Sequence, residues 1–107
     1  MTTFDDREKS FEGTFSATEQ TRFKAVARRN KLLGLWAAEK LALDTAKTEE
    51  LTTSLVSAEI SHPDGDEVFK IVYESLQAGG VDQSEHQVRR TMDQLLAQAH
   101  EELKQNV

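Results

Sequence analysis

Apolar positions along this chain recur at spacings of three and four for most of its length, the period of amphipathic α-helices. The last such stretch is the plainest. Val88, Met92, Leu95, Leu96, Ala99 and Leu103 form one face, and Ser84 with Gln87 before them has the spacing of a capping box. A helix over about residues 66–77 is predicted to bury Val68, Phe69, Val72 and Leu76. It follows a loop containing His62-Pro63-Asp64-Gly65 and is stopped by Gly79-Gly80. Asp44 and Thr45 can start another helix, with Leu51, Leu55, Val56 and Ile60 turned inward. Upstream, Ser16 and Glu19 also have capping-box spacing and predict a helix from about Ala17 to Leu41. Its second half, Leu32-Leu33-Gly34-Leu35-Trp36-Ala37-Ala38, is apolar almost all round, the mark of a helix buried on every side.

The first fifteen residues form a separate zone. Phe4, Phe11 and Phe15 stand at i, i+7 and i+11, within a band of roughly 40° on a helix. Asp5, Asp6, Arg7, Glu8, Lys9 and Glu12 surround them, and Gly13 weakens a helix by ~1 kcal/mol relative to alanine. The expected architecture is therefore all-α: a four-helix bundle over residues 16–107 with a flexible, partly helical N-terminal extension over residues 1–15. Short interhelical loops favour antiparallel neighbours. The aromatic stripe has two readings, a fifth helical piece packed on the bundle or a partner-binding helix that places its rings in a groove.

Composition narrows the functional classes. The chain of 107 residues fits one domain and contains no cysteine, which removes disulfides, thiolate nucleophiles and cysteine-ligated zinc. A net charge of −6 argues against a dedicated nucleic-acid partner. The longest apolar run falls short of the ~20 residues needed for membrane insertion, and the acidic start resembles neither a secretory signal nor a transit peptide. A cytoplasmic protein, monomeric when free, is expected. Phosphate-binding glycine loops, metal-ligand spacings among His62, His86 and His100, and nucleophile elbows are absent from the sequence, so neither an enzyme nor a metal site is expected. Asp64, Asp66 and Glu67 read as acids favourable at a helix N-terminus rather than as a calcium loop.

One charge feature stands out. Arg22, Lys24, Arg28, Arg29 and Lys31 supply five cations within ten residues that hold no acid. They are candidates for contact with a nucleotide or an acidic partner. The competing reading is a solvated face balancing residues 44–67, which hold seven acids and only Lys47. Arg28 and Arg29 could pair with those acids across the bundle for ~0–1 kcal/mol each if exposed.

Three segments carry a family resemblance. TTFDDREKSFE at residues 2–12, RFKAVARRNKLLGLWAAEKLAL at 22–43 and HQVRRTMDQLLAQA at 86–99 are similar to the ζ inhibitor subunit of alphaproteobacterial F-type ATP synthases. The resemblance implies a bundle that anchors outside the enzyme's head and an N-terminal segment that enters a catalytic α/β interface. It also implies partners in the α, β and γ subunits, a place at the cytoplasmic face of the inner membrane, and blockage of ATP hydrolysis. On this chain the opening motif falls on Phe4, Asp5, Asp6, Arg7, Glu8 and Lys9, with Phe11, Glu12 and Phe15 extending it. Gly13 departs from the family pattern, where a better helix former is expected. No obligatory cofactor is implied. Weak ADP or ATP binding in some members makes an adenine-nucleotide-binding regulatory module the alternative.

Overall fold

A computed structural model describes the backbone of residues 2–105 and the side chains of residues 19–105. It is all-α, with α1 over Thr2–Leu41, α2 over Thr45–Ser61, α3 over Asp66–Ala78 and α4 over Glu85–Gln105. The 40-residue α1 would measure about 60 Å at 1.5 Å per residue, and the molecule's long dimension is 63 Å. α1 packs against all three other helices. α2 and α4 both touch α3 but, among the described residues, not each other.

Local chemistry fixes the helix ends after α1. α1 closes with Leu43 N–H donating to Ala38 O at 3.0 Å and Ala42 N–H to Glu39 O at 3.2 Å. This is a Schellman closure. Its left-handed residue is Ala42 at φ 55°, a conformation that costs a non-glycine residue ~1–2 kcal/mol. Asp44 then caps α2, its carboxylate accepting from Lys47 N–H at 2.8 Å. α3 ends in the same closure, with Gly80 at φ 73° and Val81 N–H donating to Leu76 O at 2.9 Å. Ser84 and Gln87 form the predicted reciprocal box, at 3.1 Å and 2.8 Å. Asp64 accepts from Asp66 N–H at 2.9 Å, shaping the entry to α3.

The core draws on every helix: Leu33 and Ala37 from α1, Leu51, Leu55 and Ala58 from α2, Val68, Phe69, Val72 and Leu76 from α3, and Val88 and Met92 from α4. Ala99 is also buried, while Leu95, Leu96 and Leu103 are half-buried. α1 and α2 run antiparallel and close together. A Cβ on Gly34 would meet Thr52 Oγ1 at 2.7 Å, so glycine is what this approach requires. Between α3 and α4, Arg89 lies 4.0 Å from the Phe69 ring centroid and 3.3 Å from Asp66, while Phe69 stacks on Tyr73 at 5.6 Å.

Three expectations are corrected. Ser16 does not begin a helix, because α1 runs unbroken through it; a cap acts only where a non-helical residue leads into a helix, and the backbone at Ser16 is already helical. Val56 and Ile60 are exposed rather than inward, since Leu51, Leu55 and Ala58 already form the buried face of α2. The apolar half of α1 is not buried on every side, for Leu35 is 47% exposed.

Candidate partner-binding surface

α1 carries every residue singled out as a site candidate, and it sorts them. The side chains of Phe4, Asp5, Asp6, Arg7, Glu8, Lys9, Phe11, Glu12 and Phe15 lie outside the described residues. Their backbone is helical and continuous with the bundle. We call residues 2–15 the arm.

The five cations divide between two sides of the helix. Arg22 and Arg29, seven residues apart, face a cleft of about 690 Å³ between α1, the α2–α3 loop and α4. Val26, Met92 and Leu96 give it apolar walls, while Glu59, Asp64 and Asp93 oppose Arg22, Arg29, Arg89 and His100. Arg29 is the most enclosed cation, with 9% of its side chain exposed. Its Nε donates to Asn30 Oδ1 at 2.8 Å and its Nη2 to Glu59 Oε1 at 3.4 Å. Asn30 Nδ2 donates to the same Glu59 oxygen at 3.0 Å. Burial holds Arg29 below the usual arginine range, while the charges of Glu59 and Asp93 push it back up.

Lys24, Arg28 and Lys31 take the other side. Lys24 and Lys31 are exposed. Arg28 Nε donates to Glu102 Oε2 on α4 at 2.7 Å. Of the two expected pairings with the acids of residues 44–67, Arg29–Glu59 forms, whereas Arg28 chooses α4 instead.

Asn30, Glu59 and Glu102 were not legible as site residues from the sequence. Asn30 offers a signal, being a poor helix former inside a long helix, between Arg29 and Lys31 and just ahead of the apolar run from Leu32. Phe23 was also missed, a large ring 73% exposed one residue from Lys24. Among the described residues no group of His, Asp and Glu is placed to hold a metal ion, and no helix is long and apolar enough to cross a membrane.

No curated sequence matches the chain. The family model for ATPase inhibitor subunit zeta matches residues 1–102, a span that takes in the arm, the divided cations of α1, the cleft and nearly all of α4. With the bundle and its arm inside that single match, the chain belongs to the ATPase inhibitor subunit zeta family.

Proposed function

We propose that this ATPase inhibitor subunit blocks hydrolysis by inserting residues 1–15 at a catalytic α/β interface of the F-type ATP synthase, also meeting the γ subunit. The bundle stays outside and holds the arm in place. The complex sits at the cytoplasmic face of the inner membrane. The inhibitor supplies obstruction rather than chemistry of its own.

The observation that carries this reading is the continuity of α1. One helix joins the arm to Leu33 and Ala37 in the core. An inserted segment can resist a rotary motor only if force on it reaches something too large to follow it in. A helix rooted in the core passes that load on, where a loose tether would let the arm be expelled. Energetics point the same way. Ordering fifteen disordered residues costs ~15–25 kcal/mol of backbone entropy. Burying three phenylalanines returns only ~5–9 kcal/mol. An arm with helix already formed over residues 2–15 avoids much of that cost.

The test is ATP hydrolysis by the purified cognate enzyme, with the full chain and with a chain lacking residues 1–15. Inhibition by the full chain alone is expected; equal inhibition by both would sink the mechanism.

The alternative, an adenine-nucleotide-binding module, draws on the cleft where Arg22, Arg29, Arg89 and His100 converge. Glu59, Asp64 and Asp93 in the same cleft oppose a polyphosphate, and Glu59 already engages Arg29. ADP titration followed by the amide shifts of α1 separates the readings, since the inhibitory one needs no response.

A further inference from the structure

Phe4, Phe11 and Phe15 each stand eighteen residues before a residue of known placement on α1, respectively Arg22, Arg29 and Leu33. That separation is about five turns of an α-helix, so each pair shares one side of the helix. Arg22 and Arg29 line the cleft with Val26 between them, and Leu33 is buried in the core. The aromatic stripe of the arm and the α1 wall of the cleft are therefore one continuous face. Bending the helix towards that face closes it like a book and lays the stripe on the cleft. Gly13 marks the place for the bend, since glycine leaves a helix at less cost than any residue but proline. Equal spacing on either side of Thr14 then sets Phe4 level with Lys24, between Arg22 and Val26, at the end of the cleft nearer the arm.

We propose that the cleft is a seat for the arm of the same chain, and that the free inhibitor exchanges between the continuous rod and a latched form bent at Gly13. The consequence for inhibition rests on the reading above, in which the arm enters the enzyme. In the latched form the arm keeps its helix and only the turn opens, so that Phe4 reaches the apolar wall of Val26, Met92 and Leu96. Charge suits the contact. Residues 1–12 carry Asp5, Asp6, Glu8 and Glu12 against Arg7 and Lys9. In the cleft, Arg22, Asp64 and Asp93 stand in no ion pair among the described residues. Arg22 attracts the acids of the arm, and Asp64 and Asp93 attract its bases. Those carboxylates oppose a polyphosphate, whereas a segment of mixed charge meets both signs. The same rings cannot occupy the cleft and the enzyme at once. The latch is therefore a self-inhibition that lowers the apparent affinity of the arm for its α/β interface in proportion to the closed fraction.

The experiment uses the full-length protein with a nitroxide on Thr3→Cys, the single thiol of a chain that otherwise has none, and follows the broadening of backbone amide signals. In the rod, Thr3 lies about 35 Å along the helix from Val26, too far to broaden it. Val26, Met92 and Leu96 are expected to broaden, while Gln77 at the far end of α3 stays sharp. Adding Phe4→Ser should abolish the effect, and Gly13→Ala should reduce it at least twofold. Sharp cleft signals overturn the proposal and leave the rod. Equal broadening at Gln77 also overturns it, because the arm would then have no preferred seat. Broadening of an unlabelled, isotope-enriched chain mixed with the labelled one overturns it in favour of contact between copies. A second measurement closes the latch covalently with Thr3→Cys/Asp93→Cys, Asp93 being exposed. The disulfide-closed form should inhibit ATP hydrolysis at least tenfold more weakly than the reduced form of the same protein, and equal inhibition by the two overturns the self-inhibition. A reduced form that fails to inhibit would sink the arm mechanism instead, and the broadening would still decide the latch.

Discussion

Arg29 and Glu59 meet across the α1–α2 interface at 3.4 Å, with 9% and 17% of their side chains exposed. The contact is long for a charge-assisted hydrogen bond, and Asn30 completes it by donating to the same Glu59 oxygen at 3.0 Å. Glu59 is thus the shared acceptor for two side chains of α1 near the C-terminal end of α2. Removing it leaves a buried guanidinium and a buried amide without that partner. Glu59→Ala is expected to cost about 2–3 kcal/mol, the range for stranded buried polar groups. Glu59→Gln keeps an oxygen in place and should cost less than half as much. Urea unfolding of the two variants checks the order; a Gln variant as damaged as the Ala variant would show that charge, not acceptance, matters at this position.

This triad illustrates where sequence reading stops. The helix ends at Asp44, Gly79-Gly80 and Ser84 were legible because capping is local: donor and acceptor lie within a few residues. Val68, Phe69, Val72 and Leu76 were legible because α3 is short and strictly periodic. Val56 and Ile60 misled because they too are spaced by four, on a face of α2 that stays exposed. The partner of Arg28 depends on how α4 lies along α1, which spacing within either helix does not encode. The arm was recognisable as a motif, and its divided basic continuation only as a charge run. Which cation faces the cleft and which the other side of the helix follows from the rotation of α1 in the bundle.

The approach of α1 to α2 at Gly34 makes a second prediction. Alanine there should gain ~1 kcal/mol of helix propensity. Its methyl would instead meet Thr52 Oγ1 at 2.7 Å, an oxygen already donating to Thr48 O at 2.9 Å. Overpacking of this kind costs ~1–3 kcal/mol, so Gly34→Ala is expected to destabilise by about 1 kcal/mol net. Thr52→Ala removes the obstructing oxygen, and in that background Gly34→Ala should become neutral or stabilising. A double-mutant cycle by thermal or urea unfolding measures the coupling; additive effects would mean that the helices separate freely at this point.

Acid should loosen the attachment of α4 to α1. The hydrogen bond from Arg28 Nε at 2.7 Å, followed by that from Gln98 at 3.1 Å, holds the Glu102 carboxyl below its usual range against a smaller opposing effect of burial. A carboxyl whose folded pKa is depressed binds its proton more readily when unfolded. Its contribution is therefore fully present above the ordinary carboxylate pKa and is lost as pH falls through the lowered folded value. Stability measured from neutral pH down past the carboxylate range should fall more steeply for wild type than for Glu102→Gln. The difference between the two should be largest at neutral pH, and parallel curves would remove Glu102 from the acid response.

Gly13 tests whether order in the arm sets potency. The backbone there is helical, yet glycine makes that helix ~1 kcal/mol less favourable than alanine would. If the arm inhibits as a helix and part of its ordering occurs on insertion, Gly13→Ala shifts that cost into the free state. A difference of ~1 kcal/mol corresponds to roughly fivefold in an equilibrium constant. The half-inhibitory concentration for ATP hydrolysis should therefore fall about three- to fivefold for Gly13→Ala. Gly13→Pro, which costs the helix ~3 kcal/mol relative to alanine and so ~2 kcal/mol relative to glycine, should weaken inhibition about thirtyfold while leaving the bundle's unfolding midpoint unchanged, because among the described side chains the core residues lie from Ala25 onward. Equal potency of all three proteins would mean that residue 13 enters the enzyme in a non-helical conformation, or not at all, and the continuous rod would lose its role in resisting rotation.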